Sequence, residues 1–179
     1  MTYADSELSG LRTLDPAAIS ELHDRYYPEV YRYARYRLGD DEVAQDVASD
    51  VFVRLLESVR AGRGPHQTLR GWLFGTASHL IMDHYRRFYS SRETSLGDEL
   101  PAQDPDPTLA IEDGERRHAV QTALQLLTSE QQHVLALRFG SGYSLEETAV
   151  AMGKKANAIK ALQFRALGAL RRALTEVRR

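Results

Sequence analysis

The chain has 179 residues, of which 42% are hydrophobic and 27% charged, and it contains no cysteine. This length holds one ordinary domain or two small ones. The absence of cysteine excludes disulfides and thiolate chemistry. The sequence has no apolar run long enough to span a membrane and no secretory signal at its N-terminus, so we expect no membrane insertion. A soluble, cytoplasmic protein is predicted.

Charge is distributed unevenly along the chain. The net charge is −2 over residues 1–89, −7 over residues 90–115 and +7 over residues 116–179. A basic segment of this kind favours a polyanionic partner for the last third of the chain. The alternative is that these charges only form solvated surfaces.

Helical periodicity dominates the sequence, and no segment alternates regularly enough to predict a strand. Asp15 followed by Pro16 is typical of a helix N-cap and first turn. That helix is closed near Gly39, and the next one carries valine or leucine at four-residue steps. After the turn-forming residues 61–68, an aromatic and basic helix ends near Tyr89.

A linker divides the chain. Residues 90–111 contain three prolines, are strongly acidic and show little periodicity, which predicts a flexible acidic linker. We therefore expect an all-α protein with two small helical domains, at 15–89 and 112–179, and an N-terminal tail at 1–14.

The second domain has the pattern of a helix-turn-helix. Capping-box spacings begin helices after Thr128 and Ser144, and Gly153 lies where the turn needs a positive φ. Ile159 and Leu162 would pack the second helix onto the first. Its remaining side chains are types that contact phosphates and base edges, namely Lys154, Lys155, Asn157, Lys160, Gln163 and Arg165. A helical hairpin with a solvated basic face is the alternative.

In the helix that precedes the linker, aromatic side chains alternate with basic ones. Such rings can stack on unpaired bases while the cations hold the backbone. Core packing is the alternative for Trp72 and Phe74. His79, Asp83 and His84 imitate a metal site, but no third ligand has a suitable spacing. We predict no metal, no cofactor and no enzymatic activity.

The order of these segments resembles the extracytoplasmic-function (group IV) sigma factors of bacterial RNA polymerase. The resemblance covers about residues 15–175, and it rests on LHDRYYPEVYRYARYRLGDDEVAQDVASDVFVRLLESV, LRGWLFGTASHLIMDHYRR, the acidic linker and LTSEQQHVLALRFGSGYSLEETAVAMGKKANAIKALQFRALGALRRAL. It implies a sigma-2 helical bundle followed by a sigma-4 helix-turn-helix. The implied function is promoter recognition, promoter melting and transcription initiation. A stand-alone helix-turn-helix regulator that binds DNA without polymerase is the alternative.

The resemblance also implies roles for individual residues. Ala44-Gln45-Asp46-Val47 stands where the family usually has Ala-Glu-Asp-Leu before its polymerase-binding helix. This match implies contacts with the β′ clamp from Asp46, Asp50, Val51, Phe52 and Leu55. Trp72-Leu73 matches the Trp-Leu at the start of the helix that captures the melted minus-10 element. The contacts implied there are Trp72, His79, Asp83, Arg86 and Arg87. The six candidates of the helix-turn-helix would read the minus-35 element.

Two departures from the family pattern concern base recognition. Ser78-His79 replaces a usual Arg-Asn pair, and Leu162-Gln163 stands where Arg-Leu is more common. Some actinobacterial developmental members resemble this chain at the second position, with Leu-Gln in place of Arg-Leu. Gln163 is therefore the leading candidate for unusual base readout. The resemblance further implies the β flap and an anti-sigma factor as partners, and the bacterial nucleoid as the location. It implies a linker that occupies the polymerase RNA path, with a plain tether as the alternative.

Overall fold

The structure is a computed structural model that describes residues 9–65, 68–94 and 110–177, without the side chains of 89–94 and 110–113. Within these ranges it is helical and has no strand. A helical turn over 9–12 comes first. The helices that follow are α1 Pro16–Leu38, α2 Asp41–Arg60, α3 Leu69–Thr94, α4 Ala110–Gln125, α5 Ser129–Leu135 with a π-helical continuation over Ala136–Gly140, α6 Leu145–Met152 and α7 Ala156–Val177.

Side-chain caps begin the first two long helices, and the sequence predicts the first of them. The Asp15 carboxylate accepts the backbone N–H of Ala18 at 3.2 Å, with proline in the first turn. The Asp40 carboxylate accepts that of Val43 at 3.0 Å. Each cap satisfies an N–H that the helix cannot bond internally, a contribution of about 1 kcal/mol.

The first module is formed by α1, α2 and α3 around a shared core. Tyr33, Val51 and Phe74 are fully buried in it, and burial of each such side chain contributes about 1.5–3 kcal/mol. The sequence places residues 1–14 in a tail outside this module. Leu11 is nevertheless 1% exposed and belongs to the same core, so the packed part of the chain begins before Asp15.

The second module is formed by α4 to α7. Leu135 and Ile159 are fully buried in its core, with Ala166 beside them. Thr128 and Ser144 both form complete capping boxes at the starts of α5 and α6, which confirms both sequence predictions.

The boundaries of the linker differ from the prediction. Helix α3 extends to Thr94, beyond Tyr89, and α4 already begins at Ala110. The helix-favouring residues at both ends therefore extend the two modules into the segment predicted as linker. The rest of that segment, 95–109, lies outside the described residues, as does the prediction that it is flexible.

The two modules pack against each other along a seam with a buried arginine at its centre. Arg37 is 2% exposed, and it donates to Ser78 Oγ and Gln132 Oε1, both at 2.8 Å, and to the Tyr33 hydroxyl at 2.9 Å. Gln132 belongs to the second module, so this guanidinium links both modules. Because arginine has only donors, the Tyr33 oxygen accepts here, and its own O–H is left for Nδ1 of His133.

Candidate nucleic-acid interface

Helices α6 and α7 form the helix-turn-helix that the sequence predicts. Gly153 ends α6 with φ 60°, and the N–H of Lys154 bonds the Ala149 carbonyl at 2.9 Å, so the chain turns within three residues. Ile159 and Leu162 are 0% and 6% exposed and pack with Ala149. The prediction that these two side chains hold α7 on α6 is confirmed.

The opposite side of α7 faces outward. Asn157, Ala161 and Phe164 lie on it at i, i+4 and i+7, a spacing that forms one row on a helix. All three are exposed, and Phe164 is 80% exposed. Lys160 and Arg165 are also exposed and lie beside this row. We define these three residues as the outward row of α7.

Sequence reasoning missed Phe164 and Ala161. It considered only polar side chains as readers of DNA, whereas methyl and phenyl groups also contact bases. Helical spacing in the sequence could have identified both residues, because they continue the row that begins at Asn157.

Two of the predicted minus-35 residues have partners within the module. The Gln163 side chain is partly buried, and its Oε1 accepts from Arg138 Nε at 2.9 Å. Adenine readout by glutamine uses the amide oxygen and nitrogen together, and here the oxygen is already engaged. Lys154 pairs with Glu130 at 2.9 Å. The other four candidates, which are exposed, are Lys155, Asn157, Lys160 and Arg165.

The predicted minus-10 residues form a row on α3. Trp72, His79, Asp83 and Arg86 follow one another at steps of seven, four and three residues, which places them on one side of the helix. Asp83 and Arg86 form an ion pair, and Arg87 is exposed.

Core packing accounts for Phe74 fully and for Trp72 in part, because Trp72 also packs against the first core. Phe74 is fully buried, as the alternative predicts, whereas Trp72 is only partly buried.

The row on α3 opens into the seam between the modules. A cavity of about 590 Å³ lies there, and its walls include Trp72 and His79 from the first module and Gly153 and Lys154 from the second. Helices α3 and α6 approach each other closely beside this cavity. A Cβ placed on Gly71 would lie 3.4 Å from the Ala151 carbonyl oxygen. The beginning of α3 and the turn of the helix-turn-helix therefore lie side by side.

A second polar cluster closes one end of the seam. Arg70 lies 3.7 Å from Glu29 and 3.2 Å from Glu147, and its guanidinium lies over the Tyr143 ring. The Tyr143 hydroxyl donates to Glu29. Burial, together with this carboxylate, raises the pKa of Tyr143 above its usual range. The Ser144 backbone N–H lowers the pKa of the Glu147 carboxyl, so the cluster keeps its ion pairs at neutral pH.

His133 is the titratable group at the middle of the seam. Burial, together with the neighbouring Arg37 and His79 side chains, lowers its pKa to about 3. The ring is therefore neutral at physiological pH, as a histidine that accepts the Tyr33 hydrogen bond at Nδ1 must be.

The predicted polymerase-binding helix, α2, needs a correction. Val51 and Leu55 are 0% and 2% exposed in the first core, because they continue the four-residue row that faces α1 and α3. They cannot contact a partner from this position. Asp46 and Asp50 are exposed, as binding to a partner requires. Val53, which is 53% exposed, lies on the same side of α2 as these two residues.

Phe52, also predicted to bind polymerase, lies at the edge of α2. Its ring packs on those of His23 and Tyr27, at centroid distances of 4.9 Å and 6.1 Å. Part of the ring remains accessible.

The part of the chain that the structure describes contains no group of three or more potential ligands that could hold a metal ion, and His79, Asp83 and His84 do not form one. None of its helices has the length and apolar character needed to cross a bilayer.

Comparison with known proteins gives two family matches and several relatives. Residues 22–90 match the model described as Sigma-70 region 2, and residues 123–172 match that described as Sigma-70, region 4. The ECF RNA polymerase sigma factor BldN of Streptomyces coelicolor is 34% identical over 161 residues, which are 89% of this chain and 61% of that protein. The chain thus spans less than two thirds of this relative. The ECF sigma factor SigX of Bacillus subtilis is 32% identical over 161 residues, which are 84% of this chain and 80% of SigX.

Solved structures share the fold. CnrH, in complex with the cytosolic domain of CnrY, superimposes with a TM-score of 0.66 at 20% identity, and the match covers 97% of both chains. RpoE of Bartonella quintana, in complex with the anti-sigma factor NepR, has a TM-score of 0.58 at 21% identity, with 87% of this chain and 96% of that one covered. At these identities the likeness shows the fold alone.

Proposed function

Because this chain belongs to the extracytoplasmic-function sigma factors, we propose that it directs bacterial RNA polymerase to promoters, melts them and starts transcription. The observation that carries the proposal is the pairing of two different DNA-facing rows in one chain. Helix α7 presents an exposed, cation-flanked row suited to duplex DNA. Helix α3 presents a tryptophan among polar and basic groups, which suits unpaired bases.

The second module would bind the duplex minus-35 element. Lys155, which directly precedes α7, and Lys160 and Arg165 on α7 could neutralise phosphates on both sides of the groove. Each neutralised phosphate contributes about −0.9 to the slope of log affinity against log salt. The N-terminus of α7 adds a partial positive charge, since its first N–H groups have no partner within the helix.

The first module would capture the melted minus-10 element. The Trp72 ring would stack on an extruded base, and Arg87 would hold the backbone. Unstacking a base step costs a few kcal/mol, so binding energy from the polymerase must offset it. Asp46, Asp50 and Val53 on α2 form the surface that would supply this energy by docking on the β′ clamp. The free chain should therefore melt promoters poorly.

The closed seam has a mechanical consequence for this function. The minus-35 and minus-10 elements are named by their positions relative to the transcription start, so they lie about 25 base pairs apart. At 3.4 Å per base pair, this separation is about 85 Å. In the structure, Trp72 and Lys154 line the same cavity. The modules must separate before α3 and α7 can reach both elements, which breaks the contacts of Arg37 and Arg70.

Partners follow from the same proposal. They are the polymerase core, through the β′ clamp and the β flap, and promoter DNA at the nucleoid. The structures of CnrH and of the Bartonella RpoE each contain a second protein, named as an anti-sigma factor in the RpoE complex. An anti-sigma factor is therefore proposed as a regulator of this chain too.

In vitro transcription tests the proposal. Purified chain and core polymerase are incubated with a genomic DNA library, and RNA 5′ ends are mapped against a reaction with core alone. We expect new start sites that share two upstream sequence elements. No initiation above core alone would contradict the proposal. Tight sequence-specific binding of duplex DNA by the chain without core, and no new starts, would indicate the stand-alone regulator instead.

A further inference from the structure

Phe164 is the most exposed large apolar side chain in the part of the chain that the structure describes, at 80%. Exposed apolar side chains are common when single, but this one lies on the helix that carries the cations of the helix-turn-helix. It forms the end of the outward row with Asn157 and Ala161.

The geometry of α7 places this row opposite its buried side. Ile159, Leu162 and Ala166 face the core, and a helix turns 100° per residue. Asn157, Ala161 and Phe164 are therefore centred about half a turn away from them. Seven residues at 1.5 Å each span about 10 Å, or about three base pairs along a duplex.

The chemistry of the row fits the floor of a major groove. Lys160 lies on one side of it and Arg165 on the other, where phosphates border a groove. In the middle are a methyl group and a phenyl ring, with no donor or acceptor. In the major groove, the 5-methyl group of thymine is the feature that apolar side chains contact.

We infer that Phe164, with Ala161 beside it, is a specificity-determining contact for thymine methyl groups in the minus-35 element. This inference rests on the proposed function and identifies the base chemistry that its second module reads. Asn157 lies at the N-terminal end of the same row, where its amide can reach the edge of a neighbouring adenine. The preferred sequence would then contain A·T pairs with at least one thymine under Phe164.

A protein-binding role is the competing explanation for Phe164. Leu167, Leu170 and Leu174 line an open groove farther along α7. Leu170 and Leu174, however, pack against the second core and lie away from the outward row. Leu167, which is 40% exposed, lies three residues from Phe164 and borders the row. Phe164 nonetheless lies in line with Asn157 and between Lys160 and Arg165, which favours DNA.

The test removes a single methyl group from the DNA. The minus-35 sequence is selected from a randomised promoter library with full-length chain and core polymerase. Each thymine in the selected element is then replaced by deoxyuridine, which differs only in lacking the 5-methyl group. Transcription is measured with the original chain and with Phe164→Ala. Since one buried methyl group contributes about as much as one CH₂, we expect about a fourfold loss at one thymine.

The pattern across variants decides the outcome. Phe164→Ala should use the thymine and deoxyuridine promoters equally, while Phe139→Ala should keep the fourfold difference. Phe139 is a suitable control because it is a 53% exposed phenylalanine of the same module outside α7. Phe164→Gln, which keeps a side chain of similar length, should behave as Phe164→Ala does and guards against a folding defect.

Four results would overturn the inference while leaving the proposed function standing. They are a selected element without thymine, a neutral deoxyuridine at every position, an undiminished methyl effect in Phe164→Ala, and loss of core binding in that variant. The last would assign Phe164 to a protein interface. Failure of the proposed function looks different, because no promoter would then be used at all.

Discussion

The rows on α3 and α7 that we propose as DNA-binding surfaces differ in how accessible they are. The row on α7 is exposed along its length. Lys160 and Arg165 lie on either side of it, where they can reach phosphates. The row on α3 opens into the cavity at the seam, and two of its members, Asp83 and Arg86, pair with each other. One surface is complete in the isolated chain, and the other is partly covered by the second module.

This difference matches the cost of the two tasks. Reading a duplex in its major groove does not require the bases to be unpaired, so a preformed surface is enough. Capturing unpaired bases costs several kcal/mol, and a surface that opened without polymerase would have nothing to offset it. Under the proposed function, the seam would couple minus-10 capture to the event that separates the modules.

The largest effect is expected from breaking the seam at Arg37. Arg37→Met removes hydrogen bonds to both modules and should lower the free energy of unfolding by about 3 kcal/mol, since bonds from a charged donor contribute about 1.5–3 kcal/mol each and some are replaced by water. Denaturant unfolding measures this. Trp72 is the only tryptophan, so its fluorescence should also shift to the red. Arg32→Met, an exposed arginine on the same helix, should change neither quantity.

Next in size is the effect of removing the ring on α3. Trp72→Ala should reduce open-complex formation about 5- to 150-fold, because stacking of one base on an aromatic ring contributes about 1–3 kcal/mol. Permanganate reactivity of unpaired thymines measures melting. Trp72→Phe keeps a ring and should retain most of the activity. Full melting by Trp72→Ala would mean that the row on α3 does not capture bases.

Acidification should loosen the seam. The pKa of His133 is lowered to about 3 in the folded chain from an ordinary value near 6.5. The unfolded state therefore binds the extra proton between these values, and stability falls as pH drops below about 6.5. The slope reaches at most about 1.4 kcal/mol per pH unit.

The structural reason for this pH dependence is local. A proton on Nδ1 removes the acceptor of the Tyr33 hydroxyl and adds a charge beside Arg37. Unfolding free energies measured from pH 7 to 4.5 test it, and His133→Gln should flatten the profile. An unchanged profile in that variant would assign the pH dependence to other groups.

The smallest expected effect concerns one phosphate contact on α7. Lys160→Ala should reduce the salt slope of promoter binding by about 0.9 and leave affinity for core polymerase intact. Asp46→Ala should do the reverse, weakening core binding with an unchanged salt slope. Fluorescence anisotropy with labelled duplex and with labelled core distinguishes the two. Weaker core binding by Lys160→Ala would contradict the division of tasks between the helices.

Local sequence patterns predicted the parts of this fold that depend on neighbouring residues. The caps at Asp15, Thr128 and Ser144, and the turn at Gly153, follow from side chains within three residues of each other. The packing of Ile159 and Leu162 follows from helical spacing. These features required no knowledge of what lies across the molecule.

The seam could not be predicted in this way. Arg37 and His133 are polar residues that the sequence alone would place on the surface, and only tertiary packing buries them. The polymerase-binding set had the opposite problem, since Val51 and Leu55 were included by resemblance although their spacing already marked the buried side of α2. Helical spacing, applied to the same residues, would have favoured Val53.

The most direct test closes the seam covalently. The chain contains no cysteine, so Arg70→Cys with Glu147→Cys introduces the only two thiols, at positions that face each other across the seam. A short bis-maleimide with a reducible disulfide spacer then joins the modules, and run-off transcription with core polymerase is measured before and after reduction. We predict no initiation while the modules are joined and full recovery after reduction. Equal initiation in both states, or none in either, would contradict the account.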